Sequence, residues 1–264
     1  MRALVINMGV ATERMGVMAA QLDALGIAWE RLEAVTPATL EPPEGDPVWH
    51  RWQRPMRVTE MALCASHVAA WRRVIALDAP CLVLEDDAVL STRLPALLEA
   101  VAGLAEVEHL SLETRGRRKL VARAPHLAAP IRRLWQDRTG SAAYVVRPEG
   151  ARKLIAAAAR AGAPSDALIS SAPGLRSWQA DPALAVQLDI CGRYGVPQAI
   201  PTKSLIDAVA KPPVAALTPA VRRAYRARRI AAQLAMGGRL VRHALDGTRR
   251  EVQPEGPWVD LSAR

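Results

Sequence analysis

Cys81-Leu82-Val83-Leu84-Glu85-Asp86-Asp87 runs from four apolar residues directly into three acids. A short uninterrupted apolar run of this kind reads as a buried strand. In open α/β sheets ligands bind beyond the carboxyl ends of the strands, which is where these acids stand. Three adjacent carboxylates repel one another, and a cation among them relieves the repulsion. In an extended chain Glu85 and Asp87 point to one side and Asp86 to the other. Oxygen ligands suit a hard ion, so Glu85 and Asp87 are expected to hold Mg2+ or Mn2+. Such an ion neutralises a departing diphosphate. The plain alternative is a solvated acidic turn.

The surrounding chain supplies a sheet for this strand. Ala3 to Met8 is a short apolar run with β-branched Val5 and Ile6, and it reads as a buried first strand. Met15, Met18, Ala19, Leu22 and Leu25 then recur at helical spacing over residues 12–26, with Gly26 as the stop. Ala28 to Val35 can form a second strand. Strand, helix, strand favours a parallel sheet and an α/β fold. Residues 36–57 are rich in Pro and carry Trp49 and Trp52, so a long loop is expected there. A capped helix starts at Thr59 and is broken at Pro80. Further on, Leu94–Leu104 is helical and His109–Leu112 is a strand ending at Glu113. Arg115, Arg117, Arg118, Lys119 and Arg123 fall in a loop or hairpin. Ala142–Val146 is a strand, and a helix opens at Pro148, a residue suited to the first helical turn. Residues 162–210 read as mixed and loop-rich, and residues 219–246 as a basic helix.

The 264 residues, half of them hydrophobic, suffice for one large α/β domain or a domain with an appendage. Charge divides them. Residues 1–210 hold 24 Lys/Arg against 22 Asp/Glu, and residues 211–264 hold 11 against 4, so +7 of the net +9 sits in the C-terminal part. The expected division is therefore a domain over 1–210 and a basic helical extension over 211–264. Basic charge confined to one extension, with no nucleic-acid motif, argues against a nucleic-acid-binding protein. Arginines beside apolar positions in residues 219–246 suit an anionic membrane surface, or else a helix packed on the domain. Cys64, Cys81 and Cys191 are too widely spaced for a zinc module and read as free thiols. The apolar run at the N-terminus spans about five residues, shorter than a signal peptide's. No stretch approaches the roughly 20 apolar residues of a membrane span. A cytoplasmic protein, peripheral at the inner membrane through its basic helix, is the expectation.

Several strings together resemble glycosyltransferase family 25. Ile6-Asn7-Met8 followed by Arg14 is similar to the family's opening Ile-Asn-Leu and Arg. Glu60, Cys64, Ser66, His67 and Trp71 follow its E-x-x-x-C-x-S-H-x-x-x-W pattern, and Leu84–Asp87 its LEDD. Gly140, Tyr144, Gly150, Ala151 and Leu154 follow a further segment. Asp166 stands where the family has Pro-Ile-Asp, here Pro164-Ser165-Asp166. Pro182, Gln187 and Ser204 complete the order, so the resemblance covers residues 1 to about 207. It implies a GT-A-like nucleotide-sugar-binding sheet with flanking helices. It also implies inverting transfer of a hexose, galactose or glucose, from a UDP-sugar to a glycan or lipid-linked glycan of the cell envelope. A catalytically inactive relative that only binds sugar or nucleotide is the alternative.

An inverting transfer needs a base for the acceptor hydroxyl and stabilisation of the leaving diphosphate. Under the resemblance, Asp166 and Glu113 are the two carboxylates that can serve as base, with Asp166 favoured because a loop can reach over a bound sugar. Asn7, Arg14, Ser66, His67, Asp86 and Gln187 are expected around the donor. Glu60 is expected to hold the N-terminus of its helix, and Cys64 and Trp71 to pack. The basic run 115–123 reads either as a contact for an anionic acceptor or as a solvated loop.

Overall fold

A computed structural model of the chain describes residues 1–137, 140–201 and 217–260. Its first half contains β1 (Arg2–Asn7), α1 (Thr12–Ala24), β2 (Trp29–Glu33), α2 (Val58–Leu77), β3 (Cys81–Glu85), β4 (Ala88–Leu90), α3 (Leu94–Ala102), β5 (His109–Ser111), β6 (Lys119–Ala122) and β7 (Ile131–Gln136). There follow β8 (Ala143–Val146), α4 (Pro148–Arg160), α5 (Ser165–Ser171), β9 (Ser177–Ala180), β10 (Ala185–Gln187), α6 (Cys191–Tyr194), α7 (Pro219–Arg242) and β11 (Gly247–Arg250). Among the described residues nine strands form one sheet in the order β11-β6-β7-β9-β5-β8-β3-β1-β2, and β10 pairs with β4 in a second sheet.

The two-residue period of a strand decides which side of the large sheet each residue serves. Ala3, Val5, Leu82, Leu84, Ala143 and Val145 face Met18 and Leu22 of α1 and Leu94, Leu97 and Leu98 of α3. The intervening Leu4, Ile6, Cys81, Val83, Tyr144 and Val146 face Ala70, Trp71 and Val74 of α2 and Ala151 and Leu154 of α4. Both faces are covered, which is why β1 and β3 read as unbroken apolar runs. The sheet is nevertheless mixed. β1, β2 and β3 are parallel as the opening implied, whereas β8 runs antiparallel between β3 and β5.

Residues 162–210 hold more regular structure than their composition suggests. β9 lies inside the large sheet, yet its Gln179 is fully buried and breaks the apolar signature. β7 hides its strand character behind Arg132 and Arg133, which lie between the buried Ile131 and Leu134. Within residues 36–57, Leu40, Trp49 and Met56 are buried against Met61, Cys64 and Ala65 of α2. Residues 247–260, expected as part of a helical extension, return to the sheet instead. β11 pairs with β6, Ala183 bridges Pro254, and Ser91 bridges Trp258. Gly237 and Gly238 lie within α7. Ser204 is outside the described residues.

Gly150 shows how closely α4 is seated. A Cβ placed on it would stand 2.4 Å from the Glu108 carbonyl oxygen, which already accepts the Arg147 amide. Helix propensity alone makes Gly→Ala stabilising by about 0.5–1 kcal/mol. The backbone contact makes it overpacking, which costs about 1–3 kcal/mol. Gly150→Ala is therefore expected to lower the denaturant midpoint, and a raised midpoint would refute this account of the α4 contact.

Candidate active site

β3 ends at Glu85, and Asp86 and Asp87 form the turn into β4, so strand alternation places only Glu85. Its parity points it at α2. There Glu85 Oε1 accepts hydrogen bonds from Ser141 Oγ at 2.7 Å and from His67 Nε2 at 3.3 Å. The second ring nitrogen, His67 Nδ1, lies 2.9 Å from the Tyr144 hydroxyl, and Trp71 Nε1 donates to that same hydroxyl at 2.8 Å. An indole nitrogen only donates. The Tyr144 hydroxyl hydrogen is therefore free for His67 Nδ1, and His67 Nε2–H faces Glu85. Burial raises the Glu85 carboxyl, but the bonds from His67 and Ser141 outweigh it and leave it below the ordinary carboxylate range.

The other acids lack that support. Asp86 accepts from Asn7 Nδ2 at 2.7 Å and pairs with Arg14 at 3.2 Å, while Asn7 Oδ1 accepts from Arg31 Nε at 2.8 Å. Burial still raises the Asp86 carboxyl despite Arg14 and Asn7. Asp87 is raised well above the ordinary range by burial and by repulsion from Glu85, Asp86 and Glu113. Its buried Oδ1 has no hydrogen-bond partner among the described residues. Glu113 Oε1 accepts the Ala142 amide at 2.6 Å and Oε2 accepts Gln187 Nε2 at 3.1 Å, and burial pushes this carboxyl up to about 7. Gly140, at φ +109°, leaves room for that carboxyl. A Cβ there would stand 2.8 Å from Glu113 Cδ.

Two cavities meet at Glu85. The larger, about 410 Å3, is lined by Asn7, Arg14, Ser66, Glu85, Asp86 and Asp87 together with apolar residues of β1, α2 and residues 34–37. The smaller, about 190 Å3, is lined by Glu85, Arg115, Ser141, Ser165, Asp166 and Gln187, among others. Asp166, expected in a loop, stands in the first turn of α5; burial raises its carboxyl, which accepts the Ala167 amide at 2.6 Å.

The structure thus brings Asn7, Arg14, Ser66, Asp86, Glu85 and Asp87 to one cavity and Asp166 and Gln187 to its neighbour. Gln187 donates to Glu113 at the wall of the smaller cavity. His67 lines neither cavity. It has no exposed surface and stands behind Glu85. The Ser66 hydroxyl is already engaged, accepting the Val35 amide and donating to the Ala62 carbonyl, both at 2.9 Å. Glu60 caps α2 through the Arg57 amide at 2.8 Å and forks onto Arg54 at 2.7 and 2.8 Å. The basic run is not one patch. Lys119 is buried on Asp137 at 2.6 Å, Arg123 bonds Gly247, and Arg115 enters the smaller cavity, held by Asp189 at 2.6 Å. Ser141, Arg31 and Arg115 were hidden individually in the sequence. Only the resemblance flagged Tyr144, and no motif marked the other three.

Among the described residues no three His, Cys, Asp or Glu side chains converge as a ready cation cage. Divalent ions at phosphate sites commonly take one or two carboxylates and complete their shell with water and phosphate oxygens. Asp87, with its unpartnered oxygen, together with Glu85 fits that donor set.

Residues 1–169 match the family described as Glycosyltransferase family 25 (LPS biosynthesis protein). No curated protein matches the chain. Among solved structures, the chain is similar to a glycosyltransferase involved in the glycosylation of the major capsid of PBCV-1. That match has 11% identity and a TM-score of 0.38, and covers 70% of this chain and 92% of the other. It is also similar to the inositol-1-phosphate CTP transferase from T. maritima, at 11% identity and a TM-score of 0.37, covering 84% and 74% respectively. Neither likeness bears on what this chain does. The family match extends over well more than half of the chain and contains β1, α2 and the β3 acids, so the chain belongs to glycosyltransferase family 25 and is a glycosyltransferase.

Proposed function

We propose that the chain is a metal-dependent, inverting hexosyltransferase with a GT-A-like donor site, moving galactose or glucose from a UDP-sugar to a cell-envelope glycan. The observation that carries the reading is Asp87 Oδ1, buried and unpartnered beside Glu85 at the wall of the 410 Å3 cavity. Glu85 and Asp87 would hold Mn2+ or Mg2+, which when bound supplies charge neutralisation for the leaving diphosphate. Arg14 and Asn7 fix Asp86 at the same wall. The relay from Trp71 through Tyr144 and His67 keeps Glu85 ionised and aimed, so His67 is a positioning residue. Asp166 is the base. It reaches the smaller cavity next to Glu85, whereas both oxygens of Glu113 are taken by Ala142 and Gln187.

The chain is further read as a cytoplasmic protein that rests on an anionic membrane surface through α7. Ile230, Leu234 and Val241 recur at four- and seven-residue steps, so they share one stripe. They are 47%, 72% and 79% exposed. Tyr225, on the opposite side, is buried, and Arg228 donates to the His50 and Trp52 carbonyls. Among the described residues no helix is long and apolar enough to cross a membrane.

UDP-galactose or UDP-glucose is expected to raise the melting temperature strongly only when Mn2+ is present, because a ligand of the folded state stabilises it. Asp87→Asn is expected to abolish that Mn2+ dependence. A donor shift of equal size in excess chelator would sink the metal reading. Donor binding without any turnover would favour an inactive relative.

Asp166→Asn is expected to cut turnover about 10²- to 10⁴-fold with donor affinity nearly unchanged, and Glu113→Gln to act mainly on stability. A base works ionised, and burial raises this one. Wild-type kcat/KM should therefore climb with pH through a value above the ordinary aspartate range. A profile flat from pH 4 upward, or near-normal turnover in Asp166→Asn, would remove Asp166 from the role.

On the membrane, full-length protein is expected to sediment with phosphatidylserine vesicles at low salt, and Leu234→Glu with Val241→Glu to stay in the supernatant. Equal sedimentation of the two proteins would refute the stripe as the contact.

A further inference from the structure

A third cavity, of about 400 Å3, lies between β7, the end of α5 and the last turns of α7. It shares Gly140 and Asp166 with the small cavity at Glu85, so it continues the same cleft away from the donor. Arg133, Arg239 and Arg242 line it. The acids facing it are Asp166 and Asp137, and Asp137 is already paired with the buried Lys119 at 2.6 Å. Cationic charge therefore exceeds anionic charge along this wall. The end of α7 is held in place over β7 because His243 stacks on Trp135, with ring centroids 3.9 Å apart and planes within 9°.

Two further atoms point to a ligand. His109 and Gln136 line the cavity at 3% and 8% exposure, and His109 Nδ1 and Gln136 Oε1 have no hydrogen-bond partner among the described residues. Buried polar atoms without partners are costly, and each calls for an explanation. A carboxamide oxygen accepts, so Gln136 matches a hydroxyl donor, and guanidinium groups match a phosphate or carboxylate.

We infer that this cavity is a subsite for an anionic saccharide, a sugar bearing phosphate or carboxylate, and that it belongs to the acceptor. The inference rests on the transferase reading of the adjoining site, whose acceptor class it names. Arg239 and Arg242 lie beyond residues 1–169, the part that matches the family. The anionic selectivity is therefore a property of this chain's own C-terminal helix. These two arginines lie on the side of α7 that faces β7, away from the stripe of Ile230, Leu234 and Val241.

The test uses the full chain and glucose 6-phosphate, glucuronate, glucose and inorganic phosphate as probes, with binding followed by ligand-observed NMR. Wild-type protein should bind the two anionic sugars about tenfold or more tightly than glucose, since charge-assisted bonds are being made. Arg239→Gln with Arg242→Gln should erase that preference. Arg222→Gln with Arg226→Gln, in the separate basic groove against residues 53–55, should leave it intact. The proposal is overturned if glucose binds as well as its phosphate, or if inorganic phosphate competes as well as the sugar phosphate. It is equally overturned if the preference survives loss of Arg239 and Arg242 or disappears with Arg222 and Arg226. UDP-hexose binding is measured on the same samples. Anionic-sugar binding without donor binding would leave the subsite standing and sink the transferase chemistry proposed above. The reverse result would sink the subsite alone.

Discussion

Four carboxylates, those of Glu85, Asp86, Asp87 and Glu113, crowd the end of β3, and only Glu85 is held below its ordinary pKa. Much else in the molecule is arranged around that asymmetry. α2 must lie against β3 for His67 to reach Glu85. Tyr144 of β8 must sit beside β3 for its hydroxyl to fix the imidazole, and the Gly140–Ala142 turn must close for Ser141 to donate. The antiparallel insertion of β8 between β3 and β5 is thus also what delivers Tyr144 and Ser141 to the site. A purely parallel arrangement would have brought the opposite end of β8 there.

The same crowding separates fixed groups from groups left free. Asn7, Arg14 and Arg31 form a chain that ends on Asp86, so one acid of the three is committed to holding β1 and α1 at the cavity wall. Glu113 is committed to the Ala142 and Gln187 donors. Asp87 and Asp166 keep capacity that the described protein groups do not use up, and they open on adjoining cavities that meet at Glu85. On the proposed reading, two carboxylates on either side of Glu85 would suit a reaction in which charge departs on one side and a proton is taken on the other.

Legibility in the sequence followed burial. β1, β3 and β8 are apolar on both faces and could be placed within a residue or two, as could α2 and α4. β7 and β9 could not, because Arg132, Arg133 and Gln179 satisfy their polar atoms through tertiary partners invisible to local patterning. Strand alternation, expected to set Glu85 and Asp87 on one side, stops at Glu85, because Asp86 and Asp87 lie in a turn. The motif around Ser66 and His67 marks residues that lie beside Glu85. It could not tell a residue that lines a cavity from one that stands behind the wall. Arg115 was one of five basic residues in a run, and only the fold separates it from the buried Lys119 and the exposed Arg117 and Arg118.

The last strand changes what the C-terminal segment is for. A sheet that stopped at β6 would present an open row of amide and carbonyl groups, with the buried Leu120 and Val121 beside it, and such an edge invites pairing with other chains. β11 occupies that edge, and its own outer rim carries Thr248, Arg249 and Arg250, a short charged margin of the kind that discourages further pairing. The segment beyond α7 therefore covers the edge that β6 would otherwise leave open. Shortening the chain before it would exchange this short charged edge for the more apolar edge of β6, whatever happened at the other end of the sheet.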